Sequence, residues 1–385
     1  MSALTFYEFF AGGGMARMGL GPGWTPVFAN DCDAKKNAAY RQNWGADEPL
    51  DSRLVQNVAT RDLPGCADLA WASFPCQDLS LAGGGTGLAG ERSGSFWAFW
   101  DLMSSLQKQA RAPRCIVLEN VGGLLTSHQG EDFRALADAL GQGGYRFGAL
   151  LMDAVDFLPQ SRPRLFIVAL HRNVAILEGL SSELPAQFHP VALQQAYARL
   201  SAKAQRNWVW WKLPKPPERS IDLADVIEAQ PTGVDWHTPD ETLSLLSMMH
   251  ERHRDKLAAV QANRKATVGT IYRRTRIDNN GNRVQRAEVR FDGVAGCLRT
   301  PGGGSSRQTL IFVDGESVRT RLVSVREAAR LMGLPDSYQL PARYNEGYHL
   351  IGDGVAVPVV RYLAAHLLEP LLGKITRPEA ATIPA

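Results

Sequence analysis

Residues 71–80, WASFPCQDLS, hold an apolar run that stops at Pro75-Cys76 and passes into a polar, glycine-rich stretch, AGGGTGLAGERSGSF. A cysteine within a strand is ordinarily an inert small hydrophobe. One at the carboxyl end of a strand in an open α/β sheet lies where such sheets bind ligands. A second apolar run, CIVLENV, ends in Glu119-Asn120-Val121, and a third segment, QSRPRLFIV, opens with Gln160, Arg162 and Arg164. A thiol, a carboxyl and paired guanidinium groups converging at one sheet edge are the set needed for covalent catalysis on a polar ring.

The elements that must position these groups are legible as alternation. Up to about residue 175, short apolar runs (LTFYEFF, PVFAND, LAWASF, RCIVLENV, RPRLFIVAL) are separated by helix-like stretches such as MARMGL. Runs of this length read as buried parallel strands of a doubly wound α/β sheet. DFRALADALGQGGY is an amphipathic helix with a glycine stop. NWVWWKLPKPPERS, rich in tryptophan, lysine and proline, breaks that rhythm and marks a domain junction. Its Trp208, Trp210 and Trp211 are expected to pack at that junction rather than to stack on a nucleic acid. The expected organisation is a catalytic domain over 1–180, a smaller domain over 181–342, and a C-terminal segment over 343–385 returning to the first. In the middle region PDETLSLLSMMHERHRDKLAAV reads as helix, and residues 267–313 as strands with NNGN as a hairpin turn. From Ala262 to Arg299 the chain carries nine basic residues against three acidic ones. Alone, such a run is usually a solvated face.

Composition narrows the class. A chain of 385 residues, 45% hydrophobic, can bury two cores. Its five cysteines, at 32, 66, 76, 115 and 297, form no CxxC pair, so neither a disulfide framework nor a metal site is expected. No 18-residue apolar run and no signal-like N-terminus occur, which predicts a cytoplasmic protein without membrane contact. The net charge of +3 neither demands nor excludes a polyanionic partner.

FFAGGGM follows a strand and opens a helix, so its glycines allow close backbone approach to a ligand. The following strand ends in FANDCD, placing Asp31 to accept hydrogen bonds from ribose hydroxyls. With neither the dinucleotide GxGxxG order nor GK[ST], a nucleoside ligand without phosphates is favoured.

Taken in order, FFAGGGM, FPCQDLS, ENVGGLL, QSRPRLFIV, VREAARLMGLPDSY and GDGVAVPVV resemble the motifs of the DNA (cytosine-5)-methyltransferases that use S-adenosylmethionine. The resemblance spans nearly the whole chain outside residues 175–290. It implies a Rossmann-like methyltransferase sheet with a smaller DNA-recognition domain. Methyltransferases acting on exocyclic nitrogens carry an acidic residue or Asn followed by Pro-Pro-aromatic, and residues 73–77 hold no such tetrapeptide. By the resemblance, Cys76 adds to cytosine C6, Glu119 holds N3 and the N4 amino group, and Arg164 reaches O2; the positive charge of Arg162 is expected to favour the thiolate. Phe10, Gly12, Gly14, Asp31, Cys32, Asn57, Val58, Pro75, Asp353 and Val355 fall at cofactor-binding positions.

Three departures from the family pattern stand out: Cys32 where a large stacking residue is frequent, Asn57 where Asp is common, and Asp353 where Asn is usual. A charge at Asp353 is expected to favour the cationic sulfonium and ammonium of the cofactor.

A cytosine inside a stacked duplex must be flipped out to be reached. The resemblance makes residues 77–96 a lid over the flipped base, with Gln77, Ser80 and Arg92 touching DNA. It also reweights the basic run toward DNA, with Arg299, Thr300, Arg307 and Gln308 as phosphate or base contacts. Cys297 stands where a phosphate-binding threonine is frequent. The expected partner is double-stranded DNA, bound by a monomer. The expected biological setting is a prokaryotic or phage modification enzyme, solitary or functionally paired with a restriction endonuclease. Two alternatives stay open: an RNA cytosine methyltransferase, whose Cys-Phe-Thr motif is not found here, and a non-catalytic DNA-binding descendant.

Overall fold

The computed structural model describes residues 3–75, 94–278, 281–300 and 307–373. The chain forms two compact units: one built from residues up to Asp153, Pro163–Pro216 and from Val355 onward, the other from Ala154–Arg162 and Pro217–Gly354.

The first unit is built on a seven-stranded sheet in the order β3-β2-β1-β4-β5-β7-β6. Its strands are β1 (Leu4–Phe9), β2 (Trp24–Asn30), β3 (Leu50–Asp51), β4 (Leu69–Ala72), β5 (Cys115–Asn120), β6 (Tyr145–Asp153) and β7 (Pro163–His171). The continuous apolar runs form central strands because both faces are covered, and all of β4 and β5 is buried. Strands β1 to β5 run parallel, as expected. Strand β7 runs antiparallel to both β5 and β6, which the apolar pattern did not indicate.

Helices α1 (Met15–Leu20), α2 (Ala34–Trp44), α3 (Ser95–Lys108) and α4 (Glu131–Gln142) connect these strands. The Asp33 side chain caps α2 by accepting from the Lys35 and Lys36 backbone N–H groups. Helix α4 buries Phe133, Leu136, Ala137 and Leu140 at helical spacing and stops before Gly143.

The tryptophan-rich segment belongs to this unit. Residues 207–209 cover the outer edge of β6: Phe147 N–H donates to Asn207 O and Val209 N–H to Phe147 O. A Cβ at Gly148 would stand 1.8 Å from Val209 O, so only glycine admits this approach. Short strands β8 (Ser181–Ser182) and β9 (Trp210–Trp211) pair beside it. Trp211 is buried and its indole N–H donates to Val168 O at 3.0 Å, so this residue packs in the core.

The chain returns at Val355, and the helix Val357–Leu363 packs on α1. There Gly19 lies so close that an added Cβ would be 2.4 Å from that of Val360. Glu369 accepts from both Arg361 and the Trp24 indole.

The second unit carries a four-stranded antiparallel sheet, β11-β10-β12-β13, from β10 (Thr267–Ile277), β11 (Arg283–Arg290), β12 (Thr309–Asp314) and β13 (Ser317–Leu322). The β10–β11 hairpin forms where NNGN predicted a turn, with Gly281 at φ 83°. One helix was expected over residues 239–260; two form, Pro239–Ser247 and Glu251–Ala262. The second starts after His250, whose extended backbone breaks the run.

Candidate active site

Strand register brings the chemistry-bearing residues of the first unit to one edge. Phe9 pairs with Ala72, and Ala72 with Leu118, so β1, β4 and β5 end almost level. Phe10, the segment Ser73–Pro75 and Glu119-Asn120 therefore lie side by side at the carboxyl edge. Because β7 is reversed, its beginning lies here too: Glu119 pairs with Phe166 and Asn120 with Leu165. Arg164 Nε lies 3.2 Å from Glu119 Oε1, and Glu119 is only 7% exposed. The carboxyl and the guanidinium thus form a buried pair at this edge of the sheet.

The approach to the cysteine is held from two sides. Asn120 Nδ2 donates to Phe74 O at 3.2 Å, and the Trp71 indole N–H donates to Ser73 Oγ at 3.0 Å. These contacts fix the backbone up to Pro75. Cys76, Gln77, Ser80 and Arg92 lie outside the described residues. Asn120 is a positioning residue the sequence reading left without a role; its place directly after Glu119 was the available signal.

The loop between β1 and α1 turns through three left-handed residues, Phe10 (φ 59°), Gly12 (φ 56°) and Gly14 (φ 77°). For Phe10 this is a strained conformation, of the kind that surrounding structure must hold in place. Asp31, buried at the end of β2, supplies part of that hold: Oδ2 accepts from Gly12 N–H at 2.9 Å and Oδ1 from Asp33 N–H at 2.9 Å. Asn37 Nδ2 donates to Asp31 O, fixing the residue from the α2 side. A Cβ built on Gly12 would meet nothing within 4 Å, so the loop leaves open space above its glycine.

Val58 is buried and Asn57 exposed at the end of a helical turn, Val55–Asn57. Arg53 braces that turn, donating to Asn57 O at 3.2 Å while its other nitrogens hold Asp51 and Asp62. Cys32 is exposed; partial burial, then the Asp31 charge, push its thiol pKa up and leave it a poor nucleophile. An acceptor at the end of β2, an open glycine loop and a small exposed side chain suit the ribose, amino-acid and adenine parts of S-adenosylmethionine.

In the second unit Arg162 is 2% exposed, and its guanidinium donates to Leu298 O (2.9 Å), Gly352 O (2.8 Å) and Gly354 O (2.6 Å), with Cys297 Sγ at 3.4 Å. Gln160 works beside it, donating to Leu331 O and accepting from Leu298 N–H. Together they anchor the segment leading to Arg299 and Thr300. Gln308, expected to contact DNA, is instead buried at 1% exposure. Its amide accepts from Gly296 N–H and donates to Ile271 O, so it shapes the interior beneath that loop.

Arg299 is exposed, while Thr300 donates its hydroxyl to the Asp353 carboxylate. Arg307 donates to Asn345 and lies 5.7 Å from the Tyr344 ring centroid. Along the hairpin, Arg273, Arg274, Arg276 and Arg283 are exposed, with Arg274 and Arg276 sharing Glu288. Val355, the first residue back in the first unit, is buried.

A family model described as C-5 cytosine-specific DNA methylase matches residues 4–369. Among curated relatives, Type II methyltransferase M.BsuFI of Bacillus subtilis is 27% identical over 372 residues, covering 96% of this chain and 73% of that protein. Type II methyltransferase M.HhaI of Haemophilus parahaemolyticus is 24% identical, covering 95% of both chains. Among solved structures, Entamoeba histolytica methyltransferase EhMeth aligns at TM-score 0.60 and 14% identity, over 98% of this chain and 100% of that one. S. pombe Dnmt2 methyltransferase aligns at TM-score 0.57 and 19% identity, over 96% of this chain and 99% of that one. These likenesses extend the α/β fold described above to proteins of low sequence identity.

Proposed function

The chain belongs to the C-5 cytosine-specific DNA methylase family, and from that premise we propose a residue-level mechanism in which Cys76 is the nucleophile. It is a DNA cytosine-5-methyltransferase. The family's cofactor, S-adenosylmethionine, supplies a methyl group on a sulfonium. The observation that carries the assignment of roles is the buried Glu119–Arg164 pair, level with the strand end that leads through Pro75 to Cys76.

Cytosine C5 is a weak nucleophile. The Cys76 thiolate bonds to C6, and the electrons of the C5–C6 double bond move onto C5, which takes the methyl group as the methyl–sulfonium bond breaks and leaves a neutral thioether. Glu119 holds the N3 and N4 side of the ring while charge builds there, and Arg164 both steadies Glu119 and reaches O2. Loss of the C5 proton to water or a nearby base returns the electrons to the ring and expels Cys76. Asp31, Gly12, Asn57 and Val58 hold the cofactor. The exposed arginines of the hairpin, with Arg299, engage phosphates of duplex DNA from which the target base is flipped. We place the enzyme in the cytoplasm as a monomer acting on chromosomal or plasmid DNA, solitary or beside a restriction endonuclease.

Bisulfite sequencing of plasmid from cells expressing the wild type or Cys76→Ala tests this reading. Protected cytosines in one short recurring sequence, absent with the variant, are expected. Protection that persists in the variant removes Cys76 from the mechanism.

A further inference from the structure

Five side chains with no part in the cytosine chemistry meet beneath the β1–α1 loop. Trp44, the last residue of α2, donates its indole N–H to Gly13 O at 3.1 Å. Its ring fills the space that Gly14 leaves: a Cβ there would stand 2.1 Å from Trp44 Nε1. Arg17, on α1, lies 4.2 Å from the Trp44 ring centroid and is tied to Glu48 at 2.9 Å and to the Tyr40 hydroxyl at 3.2 Å. Glu8, from the middle of the sheet, accepts from Arg17 N–H at 3.1 Å and from Tyr40 Oη at 3.4 Å. The indole is thus clamped between α1 and α2.

The rest of the loop is held by other means. Ala11 N–H donates to Asn30 O, Gly14 N–H to Ala11 O, and Gly12 N–H to Asp31. Trp44 reaches a loop carbonyl directly from α2, and it does so at the glycine pair whose conformation sets the loop's shape. We propose that Trp44 is a positioning residue for cofactor binding: by carrying Gly13 O and occupying the space over Gly14, it keeps the glycine loop preformed for S-adenosylmethionine. This rests on the assignment of that loop to the cofactor. Because Glu119 and Arg164 stand on β5 and β7, the effect is confined to cofactor affinity and does not extend to methyl transfer once the cofactor is bound.

Trp44→Phe removes the N–H and keeps a ring for Arg17 to cover. Calorimetric titration with S-adenosylhomocysteine should show affinity about five-fold weaker, the worth of one backbone-directed hydrogen bond. The KM for cofactor should rise in parallel, with kcat at saturating cofactor within about two-fold of wild type. A second variant, Glu48→Gln, loosens Arg17 from outside and leaves every loop contact in place; about two-fold weaker binding is expected. An unchanged affinity accompanied by a lower melting temperature would reduce Trp44 to a structural role and overturn the proposal. A fall in kcat at saturating cofactor with unchanged affinity overturns it as well. If the wild-type protein itself binds no S-adenosylhomocysteine, the cofactor assignment of the loop fails first, an outcome separable from either variant's behaviour.

Discussion

Glu8 gives the sharpest quantitative expectation. It is completely buried in β1 beneath the β1–α1 loop, and burial, opposed by the Arg17 N–H, the Arg17 charge and the Tyr40 hydroxyl, raises its pKa from 4.5 to about 7, with Asp31 adding a small push in the same direction. The folded protein therefore holds a proton there that the unfolded chain releases. Below 4.5 both states are protonated and Glu8 contributes nothing to pH dependence. As pH rises from 4.5 to about 7 stability is lost, and above 7 the full penalty applies. At about 1.4 kcal/mol per pH unit that interval is worth about 3 kcal/mol.

Three histidines work in the opposite sense. Burial lowers His189 to about 4 and depresses His171 and His366, so they add stability as pH rises to 6.5 and nothing further above it. Comparing Glu8→Gln with wild type cancels the histidines, and Gln keeps an oxygen to accept from Arg17 N–H. Melting temperatures measured from pH 5 to pH 8.5 should converge at the acid end. At the alkaline end the variant should melt higher, by on the order of 5 °C. Parallel curves across that range would refute the reasoning, since they would mean Glu8 releases its proton at the same pH folded and unfolded.

Two further outcomes follow from contacts described above. Glu119→Gln keeps the size of the side chain but weakens its contact with the Arg164 guanidinium, a hydrogen bond to a charged group being worth about 1.5–3 kcal/mol; single-turnover methyl transfer should slow by about 10- to 100-fold with unchanged cofactor affinity, and an unaltered rate would remove Glu119 from the reaction. Gly19→Ala forces a methyl group to within 2.4 Å of Val360 Cβ and 2.8 Å of Val357 O. The variant should lose about 1–3 kcal/mol in denaturant unfolding, with partial recovery in the Gly19→Ala/Val360→Ala double variant.

The central strands were legible because burial on both faces leaves continuous apolar runs, and the meeting of Glu119 with Arg164 was legible because each sits where such a run begins or ends. Strand β6, YRFGALLMD, was not among the runs picked out: arginine and glycine interrupt it, and its packing depends on segment 207–209 lying against Gly148. The Trp44 clamp left little trace, since a tryptophan ending a polar helix reads as an ordinary partly buried residue. Glu8 did leave one, as a single carboxylate inside LTFYEFF, but a charge in an apolar strand does not say what it holds. Gln308 was misread for the converse reason. A glutamine beside arginines and glycines looks like a base reader, and only the placement of Gly296 and Ile271 around its amide shows that its hydrogen bonds are already taken.

The direction of β7 resolves a conflict between two expectations that the sequence supported separately. Parallel strands would have put the start of QSRPRLFIV at the edge opposite the end of CIVLENV. A nine-residue strand is about 30 Å long, far too long for Arg164 to reach Glu119. Convergence of the carboxyl and the guanidinium therefore required one of the two strands to run backwards, and apolar periodicity is blind to strand direction. The short connection from β6 to β7 supplies the reversal, since antiparallel neighbours can be joined without a crossover helix. The 3.2 Å contact between Arg164 and Glu119 is its consequence. A demand made by the chemistry thus carried topological information that composition and hydrophobic pattern did not.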